Sequence, residues 1–533
     1  MKHILLFFSA LFLHIGSNAQ SFDYKVNITP VSISNLPGLH SYAFAQSNGK
    51  WLVIGGRKDG IHARQPFNTF PQAQSNTDIY VIDIATKQFW TASVTPLGSA
   101  LAEQLQSTNM NFHQDNDTLY IIGGYGYSTT ATDHITFNNL ISVDIPGLIQ
   151  AVMTSSSITP YFKKVADPAF AVTGGHLAKI ADTFYLVGGH KFDGRYNPMG
   201  NPTYTQTYTN QIRKFGIDNS GSQLSFTAYT PITDPVHLRR RDYNLVPQIF
   251  PDGAEGYTIS SGVFQQNVDL PFLYPVDITT KGHVPQTSFN QYLSNYHSAT
   301  TSFYDSNSKS MHMLFFGGIS QYYYQNGNRI KDDDVPFVNT ISRVTRTSNG
   351  NLAEYRFADS MPSFKGASAE FILNEGVAHY ESGIIKQHLF NKDTILIGHI
   401  LGGISSSSAN PFANNQTSNT SADNTIYEVR LIKSTSGNVE LLNGTNPYDV
   451  EVYPVPAKRD LYVTPLNENY RTAYYFITDI NGRMLQKGEL TDNRLARKGY
   501  HIELDNIAST STLFLTVAFD DVFFTTKKIS LID

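Results

Sequence analysis

The stretch AFAQSNGKWLVIGG (residues 43–56) contains the pattern that decides the fold. An apolar strand ends in two glycines, and a second short strand precedes it across the turn residues Asn48 and Gly49. Asn-Gly between two such strands is a strong signal for a tight hairpin. The apolar strand recurs as WLVIGG (51–56), LYIIGG (119–124), FYLVGG (184–189), MLFFGG (313–318) and HILGG (399–403), with a degenerate copy, YTISSG (257–262).

A further strand follows the diglycines at a fixed distance. The spacing is 21 residues from Gly56 to Thr77, and the same from Gly189 to Asn210, Gly318 to Asn339 and Gly403 to Asn424. The six copies lie about 55 to 85 residues apart, a period typical of propellers and repeat arrays. Each unit therefore predicts four antiparallel strands, with a long loop after the second. Six such units arranged radially predict an all-β fold with a six-bladed β-propeller.

These Gly-Gly strands, the hairpins before them and the strands after them resemble kelch repeats over residues 20–440. The resemblance implies a kelch-like β-propeller. YKVNITPVS (24–32) resembles the blade-ending strand FWTASVTPL (89–97). We therefore expect the N-terminal segment to supply the outer strand of the last blade and close the ring. The alternative is an ordinary leading strand.

Residues 1–19 have the pattern of a secretory signal peptide. Lys2 precedes an apolar run, and Ser17-Asn18-Ala19 provides the small-residue cleavage site. No later segment is long and apolar enough for a membrane span. The chain contains no cysteine, so disulfides and thiolate metal sites are excluded. We expect a secreted protein whose stability comes from a large packed core.

The last segment has a different pattern. After an expected linker at 441–449, VEVYPVPAKRDLYV (450–463) and YYFITDINGRMLQKGEL (474–490) predict a small antiparallel β-sandwich over residues 450–533. These pieces resemble the type A C-terminal sorting domain of the type IX secretion system. The resemblance implies that the secretion machinery is a partner, and that the protein reaches the outer-membrane surface or the extracellular space. The alternative is a carbohydrate-binding or structural sandwich.

Alignment of the units on their diglycines predicts a ligand site at the mouth of the central channel. Imidazole and guanidinium groups there would suit an anionic or polyhydroxylated ligand. The alternative is that these side chains bond backbone carbonyls of neighbouring blades. The candidate residues are His40, Thr108, His176, Arg240, Arg241, His297 and His379.

The long loops are rich in aromatic residues and should gather on one face. Aromatic faces and amide donors commonly hold sugars, which favours a glycan as ligand. Exposed tyrosines are equally typical of protein-binding surfaces. The candidate residues are Tyr125, Tyr127, Tyr204, Tyr208, Tyr322, Tyr323 and Tyr324.

Several function classes are disfavoured. A net charge of -5 provides no attractive field for nucleic acid. Common catalytic motifs are absent. Asp332-Asp333-Asp334 lacks the ligand spacing of a calcium loop, so we expect no metal and no cofactor.

The sequence thus favours a non-enzymatic, surface-exported propeller that binds a glycan or a protein. The second hypothesis is a carbohydrate-active enzyme, a lyase or an epimerase similar to the kelch enzyme that epimerises sialic acid. It would act in the central pocket through Arg240 or Arg241 with Glu375 or a histidine. A structural module of a surface assembly is the third.

Overall fold

The computed structural model describes residues 22–197, 203–325, 328–434, 439–444, 448–466, 470, 472–479, 483–490, 494–495, 499–504, 507, 512–519 and 523–532. The expected signal peptide (1–19) and the Asn481-Gly482 turn lie outside these residues. The chain divides into two compact units, residues 23–445 and 446–533. Both are built mainly from antiparallel strand pairs, so the prediction of an all-β fold is confirmed.

Among its described residues the first unit contains six sheets of four or more strands, which we number along the chain. The strands of sheets 1 to 3 are Ala43–Ser47, Lys50–Ile54, Asp78–Asp83 and Gln88–Ser93; Asn111–Asp115, Thr118–Ile122, Asn139–Asp144 and Phe162–Ala166; and His176–Ile180, Thr183–Val187, Gln211–Asp218 and Ser225–Thr233. Those of sheets 4 to 6 are Asn244–Ile249, Glu255–Ser260, Val276–Thr279 and Gly282–Pro285; Thr300–Asp305, Ser310–Ile319, Phe337–Arg346 and Leu352–Ser360; and Glu370–Leu373, Thr394–Leu401, Ile426–Lys433 and Tyr24–Val31.

The core lies between the sheets, which explains why the diglycine strands are apolar on both faces. Trp51, Leu52, Val53 and Ile54 are all buried, because a cluster of neighbouring side chains packs on each face of the strand. Each such aliphatic side chain contributes about 1.5–3 kcal/mol through burial. The two α-helices of the described chain are Ser99–Leu105 and Ile145–Met153, and both add residues to the core that sheets 1 and 2 share.

The first strand of the chain completes the last sheet. Tyr24–Val31 pairs antiparallel with Ile426–Lys433 and forms the outer strand of sheet 6. The expectation that the N-terminal segment supplies this strand is therefore confirmed. The two ends of the first unit are held together by the pairing.

The six sheets are also joined by a closed ring of backbone hydrogen bonds. Two or three residues before each first strand, an N–H donates to the carbonyl of the equivalent residue in a neighbouring sheet, with N···O distances of 2.8 to 3.2 Å. Because the sixth bond returns to the first residue, the sheets follow one another in a circle. We call this feature the hydrogen-bond ring. Its members, in order of donation, are Ser41, Ser368, His297, Asp242, Gly174 and Asn109.

The first glycine of each diglycine has a left-handed backbone conformation. Gly317 has φ +62°, and a Cβ atom there would lie 2.2 Å from the carbonyl oxygen of Lys365 in the next segment. The degenerate copy keeps the same conformation without glycine, because Ser261 has φ 54°. The Ser261 hydroxyl donates to the carbonyl of Phe272. YTISSG is therefore a sixth copy of the turn.

Short segments extend this architecture. Ile385–Lys386 and Val439–Gly444 add edge strands to sheet 5, so residues 441–444 of the expected linker belong to a strand. The segments after the diglycines form additional hairpins and a small sheet. Their strands are Tyr125–Ser128 with Asp133–Thr136, His190–Gly194 with Tyr204–Tyr208, Tyr322–Gln325 with Asn328–Lys331, and Phe364–Ala367 with Ile404–Ser406 and Thr420–Ala422.

The second unit contains two four-stranded antiparallel sheets around one core. The core includes Leu461, Val463, Ile477, Leu515 and Val517, contributed by both sheets. The strands, in sheet order, are Val450–Tyr453, Asp460–Pro465, Gly499–Glu503 and Arg494–Leu495, and then Met484–Glu489, Ala473–Thr478, Thr512–Phe519 and Phe523–Ser530.

Replacing a diglycine residue tests the close approach of neighbouring sheets. We expect Gly317→Ala to lower the free energy of unfolding by more than about 2 kcal/mol. The added Cβ atom would clash with the Lys365 carbonyl, and alanine would also be strained at a left-handed φ. Gly49→Ala is the matched control, because Gly49 has φ +71° but a Cβ atom added there would have no other atom within 4 Å. Denaturant unfolding measures both variants, and equal losses would contradict the packing argument.

Candidate functional site

We call the segments that follow the five diglycines and the Ser261-Gly262 copy the loop face. Direct hydrogen bonds connect the loops: Arg64 donates to Ala413, Thr69 to Tyr196, and Phe337 to Ala409. The loops of sheets 1, 3, 5 and 6 are thereby joined. This face is a connected surface, not a set of independent loops.

An aromatic cluster fills much of the loop face. His62 lies at its centre, with ring centroids 5.1 Å from Phe70, 4.8 Å from Tyr196 and 5.2 Å from Phe412. Burial lowers the pKa of His62 to about 4, so the imidazole is neutral at physiological pH. The other rings of the cluster are Tyr125, His134, Phe192 and Tyr204.

This packing accounts for several of the predicted loop-face aromatics. Tyr125 is buried and donates its hydroxyl to the carbonyl of Gly194 at 2.8 Å, while Tyr204 stacks on Phe192 at 4.5 Å. Tyr127 packs edge-on against His134. These tyrosines stabilise the loops and present little ring surface to a ligand.

Three further predicted tyrosines lie on one hairpin of sheet 5. Tyr322 contacts Tyr292 at a centroid distance of 4.8 Å, and the Arg329 guanidinium stacks on Tyr292 at 3.8 Å. The Arg356 guanidinium lies 4.2 Å from the ring centroid of Tyr324. Tyr323 is half-buried and pairs with Ile330 across the hairpin.

Arg241 and Tyr208 form a partly exposed polar group on the loop face. Arg241 Nε donates to the Tyr208 hydroxyl at 3.3 Å, and the Arg239 guanidinium stacks on the Tyr208 ring at 3.9 Å. The Arg241 side chain is 21% exposed and pairs with Asp242. Burial raises the pKa of the nearby Tyr296 phenol, although the Arg241 charge opposes that shift. We call Tyr208, Arg241 and Tyr296 the arginine site.

Equivalent positions in the six sheets explain where the predicted channel residues lie. The residue before each ring member pairs with the residue after the diglycine, as His40 does with Arg57 and Thr108 with Tyr125. His40, Thr108 and Arg241 occupy this position, as the alignment predicts. In sheets 3, 5 and 6 the equivalent residues are Thr173, Tyr296 and Ala367, instead of the predicted His176, His297 and His379.

Three residues that the sequence assigns to the channel-mouth site make other contacts in the structure: Arg240, His379 and Glu375. Arg240 is completely buried, and its guanidinium donates to the carbonyls of Ser261 and Tyr274. His379 pairs with Ile385 at the edge of sheet 5, and Glu375 accepts from the backbone N–H of Gly49. All three have structural roles, which the sequence alignment does not distinguish from a ligand-binding role.

His297 is itself a ring member, and His176 lies two residues beyond ring member Gly174. His176 is the first residue of its strand, and its Nε2 lies 2.6 Å from the Tyr243 carbonyl oxygen. Its ring centroid is 5.3 Å from that of His297. The backbone contact of His176 is the alternative role that the sequence left open for these histidines.

Glu370 is a residue beside the predicted His297 that the sequence does not single out. Its Oε1 lies 3.4 Å from Nε2 of His297, and the two side chains are 15% and 17% exposed. Burial raises the pKa of Glu370 to about 8 and lowers that of His297 to about 3, so the neutral form of the pair dominates at neutral pH. We call Glu370, His297 and His176 the glutamate cluster. Glu370 lies two residues after ring member Ser368, a relation that is visible in the fold and not in the sequence.

The acidic run and the helices provide neither a metal site nor a membrane span. Within the ranges that the structure describes, no group of three or more histidines and carboxylates has a geometry that could hold a metal ion. Asp332 and Asp333 instead accept hydrogen bonds from Asn410 and Gln321. In the same ranges, no helix is long and apolar enough to cross a membrane.

Comparison with known proteins gives little similarity. No family model and no curated protein matches the chain. A solved structure described as "Structure of YjhT" is 12% identical, and the match covers 76% of this chain and 98% of that chain with a TM-score of 0.41. A likeness of this size says nothing about activity.

The buried carboxyl of Glu370 should make stability depend on pH. The Glu370 carboxyl loses its proton near pH 4.5 in the unfolded state and near pH 8 in the folded state. Between these values the free energy of unfolding therefore falls by about 1.4 kcal/mol for each unit by which the pH rises. We expect Glu370→Gln to remove this component and flatten the pH profile of unfolding free energy. The exposed Glu381→Gln is the control, and indistinguishable profiles for wild type and Glu370→Gln would contradict the assignment.

Proposed function

We propose that this chain is a secreted, surface-exported, six-bladed kelch-like β-propeller that binds a glycan or a protein ligand on its loop face. The six sheets, five of four strands and one of six, support the propeller architecture together with the closed hydrogen-bond ring and the N-terminal closing strand. The second unit would act as the sorting domain that delivers the protein to the surface. The ligand would bind after this export.

The arginine site is the observation that carries the binding proposal. Arg241 and Tyr208 combine a planar cationic donor, a hydroxyl group and an aromatic edge in a partly exposed position. Guanidinium groups bind carboxylates and sulfates in two parallel hydrogen bonds, and hydroxyls bind sugar rims. The connected loops support the site rigidly, so little entropy is lost on binding.

A glycan array with the full-length protein tests this proposal. We expect Tyr208→Phe to weaken binding of the recognised sugar about fivefold to tenfold, because it removes one hydrogen bond of about 1–1.5 kcal/mol. Tyr229→Phe is the matched control, since Tyr229 is exposed on the outer strand of sheet 3. Binding that survives Arg241→Ala and Tyr208→Phe together would exclude the arginine site. No binding to any sugar would leave a protein as the ligand.

A second candidate function is the carbohydrate-active enzyme. The carboxyl of Glu370 beside the imidazole of His297 favours it, because such a pair can donate and accept a proton. Turnover of a sugar that Glu370→Gln abolishes would support the enzyme, whereas binding without turnover would support the first proposal.

The second unit supports the export part of the proposal through its two sheets and single core. The residues that carry the resemblance, Tyr453 and Leu461 among them, lie on strands of one sheet. We expect a chain truncated after residue 445 to keep a folded first unit but to stay inside a bacterium that carries the type IX machinery. Surface labelling of truncated and full-length chains measures this, and a truncated chain at the surface would refute the sorting role.

A further inference from the structure

A groove with a volume of about 330 Å³ lies on the two outer strands of sheet 4. Asp277 and Thr279 of one strand line it, together with Gly282 and Val284 of the next. Alternate residues of a strand point to the same face, so the groove lies on one face of this hairpin. We call it the sheet 4 groove. Its volume is at the lower end of the range for small-molecule sites, roughly 300–1,000 Å³, which suits a single small ring.

The turn between the first two strands of sheet 4 forms one wall of the groove. Phe250 and Pro251 belong to this turn and line the groove. The Arg346 guanidinium of sheet 5 lies 5.1 Å from the ring centroid of Phe250, and its Nη2 is 2.6 Å from Oδ1 of Asp277. Phe250 and Asp277 are buried, and contacts with sheet 5 hold both in place. The walls are therefore preformed, which reduces the entropy lost on binding.

The charged groups of the lining favour a neutral ligand. Asp277 is 7% exposed and pairs with Arg346, while Asp252 at the rim pairs with Lys281 at 3.3 Å. Because each carboxylate already has a cation beside it, the attraction for a cationic ligand is reduced. An anionic ligand would be repelled by the same two carboxylates.

The remaining polar groups of the groove include both donors and acceptors. Gln286 lines the groove and uses one Nε2 hydrogen to donate to Oδ2 of Asp277 at 2.7 Å. Within the described part of the chain, its second Nε2 hydrogen and its Oε1 make no hydrogen bond, and neither does the hydroxyl hydrogen of Thr279. A ligand that satisfies these groups needs donors and acceptors close together, and hydroxyl groups supply both.

Apolar surface completes the lining. Val284 is 58% exposed on the edge strand, and Pro251 is exposed on the opposite wall. We propose that the sheet 4 groove binds one neutral sugar ring, with Gln286 and Thr279 bonding its hydroxyls while Val284 and Pro251 contact its C–H groups. A sugar ring has both kinds of surface, whereas a purely apolar ligand would leave the amide and the hydroxyl without partners.

The sheet 4 groove is remote from the loop face. The strand Glu255–Ser260 begins after the turn that forms the wall, and it ends at Ser261-Gly262, where the loop-face segment starts. The two regions therefore lie at opposite ends of a strand about 20 Å long. The site does not depend on the proposed loop-face function or on catalysis.

Methyl NMR of the full-length protein, labelled at valine and threonine, tests the site. The probes are the methyl glycosides of glucose, galactose and mannose, and cyclohexanol, a ring with a single hydroxyl, is the matched control. We expect at least one glycoside to cause saturable shifts of the Val284 and Thr279 methyl resonances. The methyl resonances of Val236, which is 51% exposed but does not line the groove, should not move.

Three results with these probes would overturn the proposal. The first is the absence of Val284 shifts with all three glycosides. The second is tighter or equal binding of cyclohexanol, which would make the groove a site for apolar side chains. The third is tighter binding of methylammonium chloride or sodium acetate, which would show that charge determines what the groove binds.

Variants locate the interaction. Thr279→Val keeps the shape of the side chain but removes its hydroxyl, so we expect it to weaken glycoside binding about fivefold. Thr280→Val is the matched control, since Thr280 is exposed in the same hairpin and does not line the groove. Equal effects of the two variants would refute the assigned contact. Arg241→Ala should leave the Val284 shifts unchanged, and their loss would place the sugar on the loop face instead.

Discussion

The hydrogen-bond ring is the constraint on which the first unit depends. Each of its six residues presents both an N–H and a carbonyl along the circumference, and five of the six do so with an unusual backbone. Ser41, Asn109, Asp242 and Ser368 have φ between 51° and 55°, and Gly174 has φ 66°. Left-handed conformations of non-glycine residues are costly and persist where surrounding structure holds them. Here the closed circle of bonds, together with the packed sheets, supplies that support.

The ring also separates two chemical environments. On the loop face, the positions next to it carry Arg57 and Arg241, whose charges are balanced by Asp59 and Asp242. Burial keeps the Glu370 carboxyl, two residues beyond ring member Ser368, and the imidazole of ring member His297 uncharged at neutral pH. A shift of one to three residues along the chain thus moves a side chain from a charged, partly exposed surface to a buried, neutral environment. This spacing decides which chemistry each position can perform.

The sequence predicts the strands well because diglycine, hairpin turn and apolar run all act locally. The six units and the closing strand Tyr24–Val31 follow from such signals. The site is harder to predict, because a side chain's role depends on distances of one or two residues from a ring that only the folded chain reveals. Arg240 and Arg241 are adjacent in sequence, yet one is fully buried and the other is partly exposed. Glu370 is likewise an ordinary strand residue until the ring places it opposite His297.

The loop tyrosines show the same limit in another way. Composition identifies a surface rich in aromatic rings, but it does not say whether the rings face solvent or one another. Tyr125 and Tyr204 pack within the aromatic cluster, whereas the Tyr208 hydroxyl bonds Arg241. The difference arises from contacts between loops of different sheets, which are far apart in the chain. Such contacts are invisible to patterns read within one repeat.

The closing strand has a consequence for how the molecule is made. Tyr24–Val31 is synthesised early, but its partner Ile426–Lys433 lies at the far end of the first unit. Closing so long a loop adds only modestly to the entropic cost, because that cost grows with the logarithm of its length. It nevertheless slows folding, since pairing between distant segments must wait for the intervening chain. Until then both strands have unpaired edges, which can exchange between two copies at high concentration. The pairing of Tyr24–Val31 with Ile426–Lys433 is therefore also the step that prevents strand-swapped association between copies.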